Sequence, residues 1–238
     1  MLIIRDAEEG DIGGIVSLEE EEFGPVGDGA AASEAIMLDR LQRLNGDARQ
    51  KWFIVAENRG EIVGDMVLQP TGQIPEDCTS WPESTDNGTL RSTLDLDGEH
   101  IYIVSLAASQ RAPHGTAELL MHASLVKWAQ HGGKYYFVSR MPAYRKVYEE
   151  HGTSPEEYVG KKRSSSGAPR DPMLYYYWLM SGGVSPHRLL RNGFPPDEES
   201  MGHGVLFILE NPYQALLATA QQAHLAGMRQ GRKVDRNY

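Results

Sequence analysis

The stretch His100-Ile101-Tyr102-Ile103-Val104-Ser105-Leu106-Ala107-Ala108, followed by Ser109-Gln110-Arg111-Ala112-Pro113-His114-Gly115-Thr116-Ala117, decides the fold. Its first part reads as a strand. Its second part is a glycine-bearing turn that opens a helix, because Leu119, Leu120, Ala123, Val126 and Trp128 recur at helical spacing until Gly132-Gly133. Tyr135 to Ser139 forms the next strand. Strand, turn, helix and strand in that order make a crossover unit, which sets the two strands parallel and points the helix N-terminus at the ligand edge of the sheet. Unpaired N–H groups and the dipole at that helix start favour an anion, and Arg111 adds a cation. The turn therefore has the chemistry of a pyrophosphate cradle.

Upstream, Leu2 to Ala7 reads as a strand, and Ile12, Ile15, Val16, Leu18 and Phe23 mark an amphipathic helix introduced by Asp11. The block Glu19 to Glu22 is placed on its solvated side, where four like charges oppose the macrodipole and fray the end toward Gly24-Pro25. After the Gly27 to Ala32 loop, Ser33 caps a second helix carrying Ile36, Met37, Leu41 and Leu44, which Gly46 ends. Trp52 to Glu57 and Ile62 to Leu68 form a hairpin through Asn58-Arg59-Gly60. Gln69 to Glu99 has no sustained period, and a loop of that length is usually functional; it is expected to cover the acceptor side of the sheet. Downstream come a short helix Tyr144 to Glu150, a polar and mobile loop Lys161 to Gly167, and a helix opened by Asp171-Pro172 and closed by Gly182-Gly183. Strands follow near His187 to Leu190 and over Gly204 to Glu210, then a helix from Pro212 to about Met228. The division expected is one α/β domain over 1–211, with a long 69–99 loop and a 153–183 insertion, and a C-terminal helix and tail over 212–238.

The 238 residues, 40% hydrophobic and 24% charged, suit a packed globular protein. The single cysteine, Cys78, excludes an internal disulfide, and no Cys/His cluster has zinc-site spacing, so no metal is expected. Aliphatic and aromatic runs such as Val205 to Leu209 are far short of the roughly 20 residues of a membrane span. The N-terminus turns acidic at once, so no leader is expected; the reading is a cytoplasmic protein with no membrane partner. Net charge is −10, yet residues 1–100 hold 7 Lys/Arg against 22 Asp/Glu, while 101–238 hold 16 against 11. The acidic total argues against a nucleic-acid partner. The more basic second half suits a small anionic ligand.

The element order, with the turn motif, resembles the GNAT superfamily of acyl-CoA-dependent N-acyltransferases. In that family the fourth strand and following helix carry Leu-x-Val-x-Pro and then (Gln/Arg)-x-x-Gly-x-(Gly/Ala). Here Gly115 and Ala117 match the two small positions, with Arg111 one place early and Ala112 where Gln or Arg is usual. Val147-Tyr148-Glu149-Glu150-His151-Gly152 matches the tyrosine-bearing helix after the fifth strand. A narrower likeness rests on Ser80-Trp81, Thr85-Asp86-x-Gly88, Arg140-Met141-Pro142-x-Tyr144, Asp171-Pro172-x-Leu174 and Glu210-Asn211-Pro212. These resemble GNAT domains found beside carbon-nitrogen hydrolases and, more distantly, GNAT-like domains of polyketide loading modules. Some of the latter resemble malonyl-CoA decarboxylases that use a His after Asp-Pro and an Arg in the next turn. Here those places hold Tyr176, Tyr177 or Trp178 and Phe194, which disfavours that chemistry.

The resemblance implies a mixed, mostly antiparallel sheet with a splayed parallel pair, flanked by helices. It implies acetyl-CoA or another acyl-CoA as co-substrate, held by the backbone of Leu106, Ala107 and Ala108 and by Arg111, His114, Gly115, Thr116 and Ala117. Tyr148 is the implied proton donor to the departing thiolate, with a packing role as its alternative. Val104 and Ser105 stand where many members carry a carboxylate base, so Ser105 enters as the residue that would hold a water for that task. Trp81 and Asp86 are candidates for an aromatic wall and a carboxylate around a cationic acceptor. Arg140 either meets a substrate carboxylate or pairs with an acid nearby, and Tyr144 lies beside it as a substrate-side candidate. The aromatic run Tyr175 to Trp178 lines a pocket or a homodimer contact.

Three functions are compatible with this reading. The first moves an acetyl or other short acyl group from acyl-CoA to a small-molecule amine. The second handles acyl thioesters on CoA or a carrier protein, by decarboxylation or S-acyl transfer. The third is a catalytically silent CoA-binding protein, suggested by the missing carboxylate and the displaced cation.

Overall fold

The computed structural model describes residues 1–46, 50–195 and 197–211. Seven strands form one open sheet: β1 (Leu2–Asp6), β2 (Phe53–Asn58), β3 (Glu61–Thr71), β4 (His100–Ala108), β5 (Lys134–Ser139), β6 (Arg188–Leu190) and β7 (Gly204–Glu210). Their order is β1-β2-β3-β4-β5-β7-β6, and β4–β5 is the parallel pair among antiparallel neighbours. The helices are α1 (Ile12–Phe23), α2 (Glu34–Asn45), α3 (Trp81–Thr85), α4 (Thr116–His131), α5 (Tyr144–His151), α6 (Pro155–Gly160) and α7 (Pro172–Met180). Among the described residues, no helix is long and apolar enough to cross a membrane.

Local chemistry accounts for most boundaries. Asn58 pairs with Glu61, leaving Arg59 and Gly60 as a two-residue turn with φ of 57° and 85°, the left-handed pair that a tight hairpin of this twist requires. Ser33 accepts the Ile36 N–H at 3.4 Å to cap α2, and Asp171 accepts from Met173 and Leu174 at 2.9 and 3.0 Å to cap α7. The core lies between the sheet and its helices, around Phe53, Met66, Tyr102, Tyr135 and Phe207.

Two expectations change. Glu19 is not on the solvated side of α1: it is 2% exposed, because it shares the inward face with Ile12, Ile15 and Leu18, while Glu20 and Glu21 stay outside. The segment from Gln69 to Glu99 is not one long loop. β3 runs on to Thr71, and the rest packs down around α3, with the buried Gln69 amide donating to Ser84 O and Thr93 O at 3.1 and 3.0 Å. Short side-chain tethers and one five-residue helix hold it, and neither leaves a periodic signal. The 153–183 stretch also holds a short helix, α6, capped by Ser154. The Lys161 to Gly167 loop is an exposed turn closed by a bridge from Lys162 to Pro169. The helix expected from Pro212 to about Met228 lies outside the described residues.

One buried amide joins α2 to the first two strands. The Asn45 side chain donates to Ala7 O and Phe53 O at 3.0 and 2.8 Å and accepts from the Trp52 and Phe53 N–H groups at 3.0 and 2.9 Å. Asn45→Ala leaves the Ala7 carbonyl and the Trp52 and Phe53 N–H groups without this partner, while the Phe53 carbonyl keeps the Ala7 N–H at 2.9 Å. Urea unfolding should show a loss of about 2–4 kcal/mol, and a change under about 0.5 kcal/mol would mean that the sheet edge relaxes to satisfy them.

Candidate active site

β4 and β5 pair only at Ile101 with Tyr135 and Tyr102 with Tyr136. Beyond these residues the strands part, and the β5-facing backbone groups of β4 have no strand partner. A cavity of about 100 Å³ occupies the fork, lined from β4 by Ile103 to Leu106 and from the β5 end by Phe137, Val138 and Arg140. On the other edge of β4 the register with β3 slips: Val67 faces Ser105 but Leu68 faces Ile103, so Val104 is an extra, bulged residue. The bulge frees the Val104 carbonyl, and the Trp81 indole N–H donates to it at 2.8 Å. Trp81 also meets Phe194 edge-on at 5.2 Å, and both rings line the cavity.

The motif around Trp81 seats a buried cation. Ser80 caps α3 through the Glu83 N–H, and the Thr85 hydroxyl accepts from the Gly88 N–H at 2.9 Å. The Gly88 carbonyl then accepts from Arg40 Nε at 2.7 Å. Gly88 has φ of 82°, and a Cβ there would fall 2.6 Å from Arg40 Nη2 and 2.9 Å from the Trp81 ring. Only glycine allows this approach. Arg40 lies on α2, 3% exposed, and lines the cavity together with Glu19.

Glu19 Oε2 accepts from the Ala32 N–H at 3.3 Å, and Oε1 is buried without a partner. Burial pushes this carboxyl up to about 7, against the pull of the Arg40 charge. Asp65 of β3 lies fully buried nearby with neither carboxyl oxygen hydrogen-bonded, and burial, with the charge of Glu19, holds it well above the usual carboxylate range. Ser105 Oγ, also lining the cavity, is buried and unpartnered. A titratable carboxyl, a guanidinium and a hydroxyl thus meet in one cleft, an arrangement suited to proton transfer.

Past β4, the turn leads into α4. Thr116 N–H reaches Pro113 O at 3.2 Å and Leu119 N–H reaches Gly115 O at 3.0 Å. The first-turn amides of Ala117 and Glu118 have no helical carbonyl before them, so they can meet an anion. Gly115 has φ of 89°, and a Cβ there would touch nothing within 4 Å, so glycine is needed for the turn and the surface is open. Arg111 is exposed and paired with Glu21 at 2.6 Å, a surface contact of small energy that an anion can displace.

Of the residues singled out from sequence, Trp81, Ser105, Leu106 and Arg140 line the cavity. Ala107 and Ala108 continue β4 opposite Asp65 and Gly64. Arg140 is engaged by Asp197 at 2.8 Å and by Glu199 at 3.1 Å, so its guanidinium is paired within the chain. Asp86 lies outside the cavity lining, its carboxylate bonded to the Thr89 hydroxyl at 2.7 Å and the Ser92 N–H at 3.3 Å. Tyr144 is buried and donates to Thr153 O at 3.2 Å. Tyr148 is 44% exposed on α5, its ring 6.1 Å from that of Tyr144. Glu19, Arg40 and Asp65 were not singled out. Their signal was a charge at a core phase: Glu19 is four residues after Ile15, Arg40 three after Met37, and Asp65 alternates with the buried Val63 and Val67.

No protein-family model matches the chain. An uncharacterized N-acetyltransferase of Bacillus subtilis (strain 168), YkwB, is 28% identical over 225 residues, which are 89% of this chain and 90% of that protein. Two solved structures share the architecture. The loading GNATL domain of CurA from Lyngbya majuscula has a TM-score of 0.72 at 18% identity, covering 90% of this chain and 99% of that one. The GphF GNAT-like decarboxylase, solved with isobutyryl-CoA, has a TM-score of 0.69 at 23% identity, covering 88% and 99%. The chain thus has the fold of these GNAT proteins, and one splayed parallel pair in an otherwise antiparallel sheet, together with a sequence relative along nearly its whole length, supports the GNAT superfamily.

Proposed function

We propose that the protein transfers an acetyl or other short acyl group from acyl-CoA to a primary amine of a small molecule. The observation that carries this reading is the buried Glu19 carboxyl, raised to about 7, in the cavity that opens where β4 and β5 part. A base of that pKa accepts a proton from an ammonium group near neutral pH. The silent-protein alternative rests on a missing carboxylate and a displaced cation; in this reading Glu19 supplies the carboxylate from α1 instead of β4.

In this reading the free edge of Leu106, Ala107 and Ala108 bonds the pantetheine amides. Arg111, His114, Gly115, Thr116 and Ala117 hold the pyrophosphate at the start of α4. Glu19 takes one proton from the acceptor ammonium, and Ser105 orients the resulting amine. The C–N bond forms as the C–S bond breaks, Tyr148 gives its proton to the thiolate, and the second amine proton restores Tyr148 through solvent. The products are the amide and the free CoA thiol, with the first proton left on Glu19.

A second reading, decarboxylation of a carboxylated acyl thioester, is favoured by one observation: Arg40 is a buried cation in the same cavity. Calorimetry with acetyl-CoA, malonyl-CoA and CoA, followed by mass spectrometry of products with an amine panel, separates the two. Acylated amine supports transfer; acetyl-CoA formed from malonyl-CoA without any acceptor supports the second reading.

Transfer should rise with pH through about 7 as Glu19 ionises. Glu19→Gln should lower kcat/KM by roughly 10²–10³-fold and remove that limb, since general-base catalysis contributes about this much. Stability should move the other way. A carboxyl pKa raised above its unfolded value binds protons more tightly in the folded state, so wild-type stability falls as pH rises from about 4.5 to about 7. Glu19→Gln should therefore raise Tm at pH 8 and change it little at pH 4. An unchanged pH–rate profile in that variant would remove Glu19 from the mechanism.

Tyr148→Phe leaves the ring and removes the hydroxyl. Single-turnover transfer should slow by roughly 10²–10⁴-fold with CoA affinity kept. A change of less than threefold would leave Tyr148 as a packing residue.

A further inference from the structure

Other partly buried guanidinium groups of this protein are matched: Arg140 is held by Asp197 and Glu199, and Arg5 by Asp11 and Glu57. Glu19 and Arg40 are different. They are 2% and 3% exposed, they line the same cavity, and among the described residues neither forms an ion pair, with the other or with any third group. Arg40 Nε is used by Gly88 O, and Nη1 has only the weak acceptor Met37 Sδ at 3.6 Å. Glu19 keeps Oε1 free. Asp65 makes no ion pair with the guanidinium, and neither of its carboxyl oxygens has a hydrogen-bond partner. Glu19 and Arg40 attract each other without touching, and a buried ion with no direct ion partner still costs several kcal/mol, so two ions of opposite sign left open to one cavity call for a ligand that carries both complements.

We propose that the acceptor is a small zwitterion of the α-amino acid class, its ammonium at Glu19 and its carboxylate at Arg40. This rests on the amine-transfer reading above and narrows its substrate. A simple amine satisfies Glu19 and leaves Arg40 open; a carboxylated acyl group does the reverse. The zwitterion satisfies both and adds no net charge to the cavity. Phe23, Trp81 and Phe194 complete the wall, which favours a short apolar side chain over a charged one.

The test uses the wild-type protein with acetyl-CoA and the standard α-amino acids, each beside its decarboxylated amine and its methyl ester, read by release of CoA thiol and product mass. A site built to bond a carboxylate discriminates strongly against an analogue lacking it, so at least one amino acid should exceed its amine and ester by about 10²-fold or more in kcat/KM. Arg40→Gln, with native circular dichroism, should collapse that ratio to within about threefold, and Arg40→Lys should restore part of it. If Arg40→Gln does not fold, the wild-type ratios decide alone. Amines and esters accepted as well as amino acids would overturn the zwitterion while amine transfer stands. No transfer to any acceptor would overturn both, and decarboxylation of malonyl-CoA in that case would assign Arg40 to the acyl carboxylate.

Discussion

The bond from the Trp81 indole to the Val104 carbonyl, 2.8 Å long, is the contact on which the site depends. A bulge at Val104 puts a peptide carbonyl outside the β3–β4 ladder, and a buried carbonyl without a donor is costly. Trp81 satisfies it and in doing so docks α3 against the centre of the sheet. The turn after α3 then brings Gly88 onto the Arg40 guanidinium, and Phe194 closes on the indole. One backbone irregularity thus organises the acceptor wall, the seat of the cation and the descent of the 72–99 segment onto the sheet. Parting of the strands on the other edge of β4 supplies the space.

The electrostatics of the cavity set stability against function. Glu19 and Asp65 are held in surroundings that resist their ionisation, and Arg40 lacks an ion-pair partner. Hydrophobic residues of similar volume would make a more stable core at these positions. The cost is borne by the rest of the sheet, where Asn45 closes the β1–β2 end with four hydrogen bonds and aromatic contacts such as Phe137 on Phe207, 5.1 Å apart and stacked, fill the β5–β7 side. The frame holds both ions in place, each with a backbone hydrogen bond but no ion-pair partner.

The uneven charge of the two halves acquires a partial meaning. Much of the acid in residues 1–100 is solvated surface, as Glu20, Glu34 and Glu61 show. Three members of the first half, Glu19, Arg40 and Asp65, are not surface at all: Glu19 and Arg40 line one cavity, and the charge of each bears on Asp65. Glu21 instead reaches across to Arg111 at the turn before α4, linking the acidic helix to the entrance of the proposed cradle.

The sequence alone determined the order of the strands and of the longer helices, the crossover unit, the hairpin turn at Arg59-Gly60 and the caps at Ser33 and Asp171, because each is written in local periodicity or in a side chain bonding its own backbone neighbours. It also pointed to Trp81, Ser105 and Leu106, which line the cavity. Only the tertiary structure decided that Glu19 faces inward, that Arg40 rests on Gly88, and that Arg140 is already paired with Asp197 and Glu199. A run of four glutamates has no periodicity of its own, so the one at the core phase is hidden among three that are more exposed. Arg40 and Gly88 are 48 residues apart, as Arg140 and Asp197 are 57 apart. Which charge meets which carbonyl or carboxylate depends on how helices and loops pack across the sheet, and no local pattern in the chain carries that information.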